Sequence, residues 1–179
     1  MAIVIPYVKQ TWTDGSGGGT PVSAARLGVL EEGILDVAQG PAVRVFHNAS
    51  QSITNSTLTA LAFNSERFDQ AGGVASTMHD TVTNNSRLTA VYAGVYMIGG
   101  TIRWSASPVN VELHIRIGGV TTIASHNVVA DNRYETISTI YSMAVNDYAE
   151  LMVLQISGGA LNITSTANSS PEFWMVRVA

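Results

Sequence analysis

The stretch Val109-Asn110-Val111-Glu112-Leu113-His114-Ile115-Arg116-Ile117 alternates apolar and polar residues without a break. Successive side chains of a strand point to opposite faces, so Val, Val, Leu, Ile and Ile share one side while Asn, Glu, His and Arg share the other. That is a strand with one buried face. Further runs that read as strands are Val43–Phe46, Leu58–Phe63, Leu88–Tyr92, Val95–Trp104, Thr121–Ser125, Tyr134–Met143, Glu150–Ile156, Leu161–Thr164 and Phe173–Val178. Turn-rich pieces such as Ala71-Gly72-Gly73, Asn84-Asn85-Ser86 and Ser157-Gly158-Gly159 separate them. With roughly eight to ten strands at this spacing and no helix between them, the expected architecture is an antiparallel sandwich.

Two runs depart from simple alternation. Leu151-Met152-Val153-Leu154-Gln155-Ile156 and Phe173-Trp174-Met175-Val176 are apolar on both faces. One face fills a core, and the other also needs cover. A subunit interface supplies it, as does the chain's own N-terminal segment or a loop. On the first of these readings Leu151, Val153, Phe173 and Trp174 are candidate contacts between subunits.

Ahead of the sandwich lie an extended head, Met1–Thr13, and a glycine loop leading into a helix, Asp14–Gln39. Thr20 suits the N-cap and Pro21 the first helical position, where the missing N–H costs nothing. Gly40-Pro41 ends the segment, because Gly favours the position just past a helix and Pro cannot continue one. The expected division is an arm, hinge and helix over 1–40 and a sandwich domain over 41–179. Within the helix Leu27, Leu30, Ile34 and Val37 recur at the spacing of a coiled-coil seam. Gly28 and Gly33 each cost the helix about 1 kcal/mol relative to Ala, so it needs support. The stripe docks either on its own body or on copies of itself, and self-association is the expectation.

The chain has 179 residues, 46% hydrophobic and 12% charged, with a formal charge of -4. That composition suits a packed domain and excludes a disordered tail. Lys9 is its one lysine and no arginines cluster, so nucleic acid is not an expected partner. With no cysteine, thiolate metal sites, disulfides and cysteine nucleophiles are excluded. No apolar run approaches the ~20 residues of a membrane span and no basic leader precedes one, so synthesis in a cytoplasm without membrane insertion is expected.

The glycine loop, Asp14-Gly15-Ser16-Gly17-Gly18-Gly19-Thr20-Pro21, stands where a phosphate cradle would. A Walker-type loop ends in Gly-Lys-Ser/Thr, because the lysine reaches the terminal phosphates, and here Gly19-Thr20-Pro21 takes that place. Pro21 also removes an amide that would face an anion. His47, His79, His114 and His126 are scattered without metal-ligand spacing. Glu112, His114 and Arg116 share a strand face, which fits a polar ligand, a neighbouring subunit or plain solvation; His79-Asp80 is equally open. A glycosidase needs two carboxylates a few ångströms apart, and the thirteen Asp and Glu pair only at Glu31-Glu32. The expectation is a non-enzymatic protein with no cofactor and no metal. Trp12, beside the loop, suits an anchor into another protein, though packing on its own body suits it equally.

Tyr7–Ile34, "YVKQTWTDGSGGGTPVSAARLGVLEEGI", resembles the N-terminal segment of many tailed-bacteriophage tail and fibre proteins. The body carries "FNSERFD", "AGVYMIGGTIRW", "VNDYAEL" and the terminal "PEFWMVRV", and is similar over roughly 42–179 to C1q/TNF-like jelly rolls of phage virion proteins. The resemblance implies an all-β antiparallel jelly roll assembled as a homotrimer. It also implies a virion protein on the particle exterior, held by Tyr7, Trp12 and Asp14 of the arm to other virion proteins. A tail-fibre or tail-tip knob that attaches to a host-surface glycan or protein is the leading expectation, with a capsid decoration or head-fibre protein as the alternative. Binding is expected on loops at the end away from Met1, with 69–87 and 127–133 as candidates. No collagen-like stalk or axial acidic cluster accompanies these motifs.

Overall fold

Thirteen strands and one helix form among residues 24–38, 40–71, 74–75, 77–129 and 133–179, which a computed structural model describes. The helix α1 spans Ala24–Ala38. The strands are β1 (Ala42–Phe46), β2 (Gln51–Ile53), β3 (Thr59–Ala60), β4 (Ser65–Ala71), β5 (Val74–Ala75), β6 (Arg87–Thr89) and β7 (Gly94–Arg103). Then follow β8 (Asn110–Ile117), β9 (Thr121–Val129), β10 (Tyr134–Met143), β11 (Tyr148–Gln155), β12 (Leu161–Ile163) and β13 (Glu172–Arg177).

A six-stranded sheet runs β10-β7-β13-β1-β4-β5, and a five-stranded sheet runs β3-β11-β8-β9 with β6 also paired to β11. The β12 and β2 strands form a small sheet of their own. All of these pairings are antiparallel. Alternation decides which side chains meet between the two large sheets. Val43, Val45, Tyr96, Ile98, Phe173 and Met175 come from the six-stranded sheet, and Val111, Leu113, Ile115, Leu151 and Val153 from the other. Each such side chain contributes roughly 1.5–3 kcal/mol by leaving water. Phe63 stacks on Phe173 with ring centres 5.7 Å apart. The buried Tyr96 hydroxyl donates to the Tyr92 carbonyl at 2.8 Å, and burial pushes its phenol above the usual range.

Two adjacent glycines let the layers approach. A Cβ on Gly100 would stand 2.5 Å from Leu151 Cδ2, across the core, and one on Gly99 2.1 Å from the Trp174 ring, on the outer face. The β10 strand runs over the residues read from its pattern, whereas β2, β4 and β5 had no such reading. In β4, Ser-Glu-Arg-Phe-Asp-Gln-Ala shows no alternation, because the strand lies next to the sheet edge and carries a bulge.

The helix forms where its apolar spacing places it, yet Leu27 and Ile34 are 49% and 67% exposed, so at those positions the stripe is not covered by its own chain. Leu30 is half-buried. The side chain of Val37 and the whole of Tyr7, Trp12, Asp14, Thr20 and Pro21 lie outside the described residues.

Candidate functional site

Among the described residues, the outward face of the six-stranded sheet departs from an ordinary solvated surface. Strand register lays its side chains in rows. One row runs Ile140, Met97, Val176 and Ala42; the next runs Ser138, Gly99, Trp174, Arg44 and Phe68. Met97, Phe68 and Ile140 are 40%, 44% and 64% exposed. Trp174 lies flat over Gly99, as the short distance to a Cβ there requires. A depression of about 290 Å3 opens beside it, lined by Arg44, Phe68, Trp174 and Val176 among others.

This apolar field is bounded by a buried charge. Glu172, 1% exposed, accepts from Arg44 on one oxygen and from Arg67 Nη2 on the other at 3.1 Å. Arg67 reaches it because the register of β4 against β1 shifts after Arg44, leaving Arg67 as an extra residue that shares the outer side with Phe68. Its guanidinium sits 3.9 Å over the Phe46 ring. Arg44 also donates to the Asn168 carbonyl at 3.4 Å. The carboxylate is therefore satisfied within the chain and fixes the arginines rather than standing open to a ligand.

Of the four strand residues expected at a subunit contact, Leu151, Val153 and Phe173 are fully buried between the two sheets of one chain. That assignment is corrected: alternation points them inward, and a neighbouring subunit has no access to them. Trp174 faces outward. The residues of this face that sequence reasoning missed are Met97, Phe68, Ile140 and Val176. Val176 belongs to an apolar run whose outer positions were read as needing cover, Met97 lies in a strand for which no such excess was read, and Phe68 was hidden by the polar composition of β4.

The opposite outer face is mixed, with Met152 and Leu154 of β11 in register beside His114 and Glu112. Glu112 meets His114 Nε2 at 2.9 Å and accepts from Asn127 at 3.3 Å, while Arg116 donates to Thr122 at 3.1 Å. Glu112 and His114 are thus paired, and Arg116 is held apart from them. At the sandwich edge His126 Nε2 lies 3.1 Å from Glu135, whose carboxyl burial pushes above the usual range against the pull of His126.

His79 and Asp80 separate in role. The His79 ring is buried, with Nδ1 2.9 Å from Glu66 and Nε2 3.3 Å from the Asn85 carbonyl. Asp80 is exposed; the Thr83 and Val82 amides, donating at 2.9 and 2.8 Å, hold its carboxyl below the usual range. Among the described residues no three His, Asp or Glu side chains are grouped to hold a metal ion. Loop placement also differs from expectation. The 77–86 loop lies by the turn between β10 and β11, at the end where Ala42 enters the sandwich. Residues 127–133 lie at the opposite end, with 130–132 outside the described residues.

No family model matches the chain, and no curated protein sequence does. Solved structures do. A TNF protein, Eiger from S. frugiperda, superposes with a TM-score of 0.55 at 13% identity, covering 79% of this chain and 94% of its own. Murine APRIL at pH 5.0 gives 0.57 at 5% identity, over 78% of this chain and all of its own; at pH 8.5 it gives 0.54 at 6%. At such identities the likeness is one of fold. The sandwich is a TNF-like antiparallel jelly roll.

Proposed function

We propose that the protein is a homotrimeric structural knob of a bacteriophage particle. Three six-stranded sheets face one another around an axis, and the arm, 1–40, attaches the knob to other virion proteins. The observation that carries the assembly is the apolar outer face of that sheet. Met97, Phe68, Ile140 and Trp174 are gathered on one side of the molecule, while the other sheet intersperses Glu112, His114, Arg116 and Asn127 with Met152 and Leu154. Closed rotational symmetry lets each copy cover the next without leaving a sticky surface. The exposed Leu27 and Ile34 of α1 add a second seam between copies, and the sequence spacing extends that seam to Leu30 and Val37.

The resemblance of Tyr7–Ile34 to tail and fibre proteins supports the particle assignment, with attachment to a host surface as the purpose of the display. Three weak sites on one trimer then act together. Sedimentation equilibrium on the full chain tests the assembly. The expected mass is three times 19.0 kDa, and a monomer at micromolar concentration overturns it. Electron microscopy of particles with the protein labelled tests the location: label at the tail supports the fibre reading, and label over the capsid lattice replaces it with a decoration role.

A further inference from the structure

We propose that a cleft of about 320 Å3 beside β6 and the turn after β10 binds a neutral saccharide. The volume falls at the lower end of the about 300–1,000 Å3 typical of small-ligand sites. Its walls include Thr77, Thr83, Asn84, Thr89 and Asn146. None of these five side chains makes a hydrogen bond to another described residue, so hydroxyls and amides able to donate and accept gather there unspent.

The backbone that carries them is held firmly. Thr89 N donates to the Met78 carbonyl at 2.7 Å, and Asn146 N to the Ala90 carbonyl at 2.9 Å. Asp80 closes the 80–83 turn through the Val82 and Thr83 amides, and His79 pins the loop to Glu66 and to the Asn85 carbonyl. Arg87 lies 4.1 Å over the Tyr148 ring, its Nε 3.5 Å from Glu150, which also accepts from Ser86 at 2.7 Å. A site fixed before its ligand arrives loses less entropy on binding.

Charge selects the ligand class. Arg87 faces Glu150, and the Asp80 carboxylate is part of the cleft wall, so the cleft offers no net attraction to a phosphate or a sulfate. Five polar side chains beside Met78 and the Tyr148 ring suit a saccharide, which offers several hydroxyls and an apolar ring face, better than a charged peptide side chain. The inference goes beyond the attachment reading above: the cleft lies at the end where Ala42 enters the sandwich, and sugar binding there stands on the cleft alone.

Asn84 and Asn146 have positive φ, 52° and 72°, which glycine adopts freely, so the pair Asn84→Gly and Asn146→Gly removes both amides while leaving the backbone content. Saturation-transfer NMR and calorimetry on the full chain use glucose, galactose and N-acetylglucosamine as probes, with inorganic phosphate and a random peptide pool as comparisons. The expected result is millimolar binding of at least one sugar, weakened about tenfold in the double variant with unchanged thermal unfolding. Binding of no sugar, sugar binding that the double variant retains, or preference for phosphate or peptide overturns the proposal. Trimer mass is set elsewhere on the molecule, so the assembly and the saccharide site fail independently.

Discussion

Glu172 shows how a single side chain shapes the outer sheet face. Its carboxylate is taken from water and held by Arg44 and Arg67. Substituting Arg67→Ala leaves one Glu172 oxygen without its partner and strips the guanidinium from Phe46. The expected cost is about 1–3 kcal/mol, less than for a fully buried pair because the arginine is partly exposed, and urea unfolding measures it. Glu135 makes a prediction of opposite character. Burial raises its folded pKa above the unfolded value, with His126 opposing, so the folded state holds the proton to higher pH than the unfolded chain does. Its contribution is complete below the ordinary carboxylate pKa and is lost as pH rises through the raised value. Between about pH 4 and pH 7, Glu135→Gln is expected to match the wild-type Tm at the acid end and exceed it at the neutral end. A parallel fall in both proteins counts against this account. Neither residue was legible in the sequence, since Arg67 and Glu172 are 105 positions apart and meet only through strand pairing.

At the scale of elements, β7 carries the tightest constraint. Gly99 accommodates Trp174 on one face and Gly100 accommodates Leu151 on the other, so the same strand sets the spacing both inside and outside the sheet. Gly100→Ala is expected to cost about 1–3 kcal/mol by overpacking, read from the denaturation midpoint. Gly99→Ala acts differently: it lifts the indole off the sheet, and a shift in tryptophan fluorescence together with weakened self-association is the expected result. Alternation made β8 legible above all; β10 runs over its expected residues although it buries Glu135 and exposes Ile140. Alternation failed for β4, where a bulge puts Arg67 and Phe68 on the same side and breaks the period of two. The doubly apolar runs were read as needing cover on both faces, and their outer residues Met152, Leu154, Trp174 and Val176 are half-buried in the single chain. Which residues belonged to which face depended on register, and Leu151, Val153 and Phe173 proved to be core.

For the whole molecule the decisive test is whether the apolar sheet face holds copies together. The double substitution Met97→Glu and Ile140→Glu places charges on neighbouring strands of that face without touching the core, since both residues are exposed in the single chain. The variant is expected to sediment as a folded monomer with an unchanged far-ultraviolet spectrum. A trimer that survives both charges removes this face from the assembly. Deleting 1–40 is expected to leave the sandwich folded and to abolish incorporation into particles, and normal incorporation removes the arm from attachment.

The sequence by itself determined that this chain forms an antiparallel sandwich, because alternation with period two and the lack of crossover helices leave little else. It also determined that some strands carry more apolar surface than one core can absorb. Only the tertiary structure decided how that excess is shared between the outer faces of the two sheets, how Glu172 comes to lie between two arginines, and which loop polar groups line one cleft. Those outcomes depend on which distant strands pair and in what register, and a local pattern is the same whichever neighbour a strand finds.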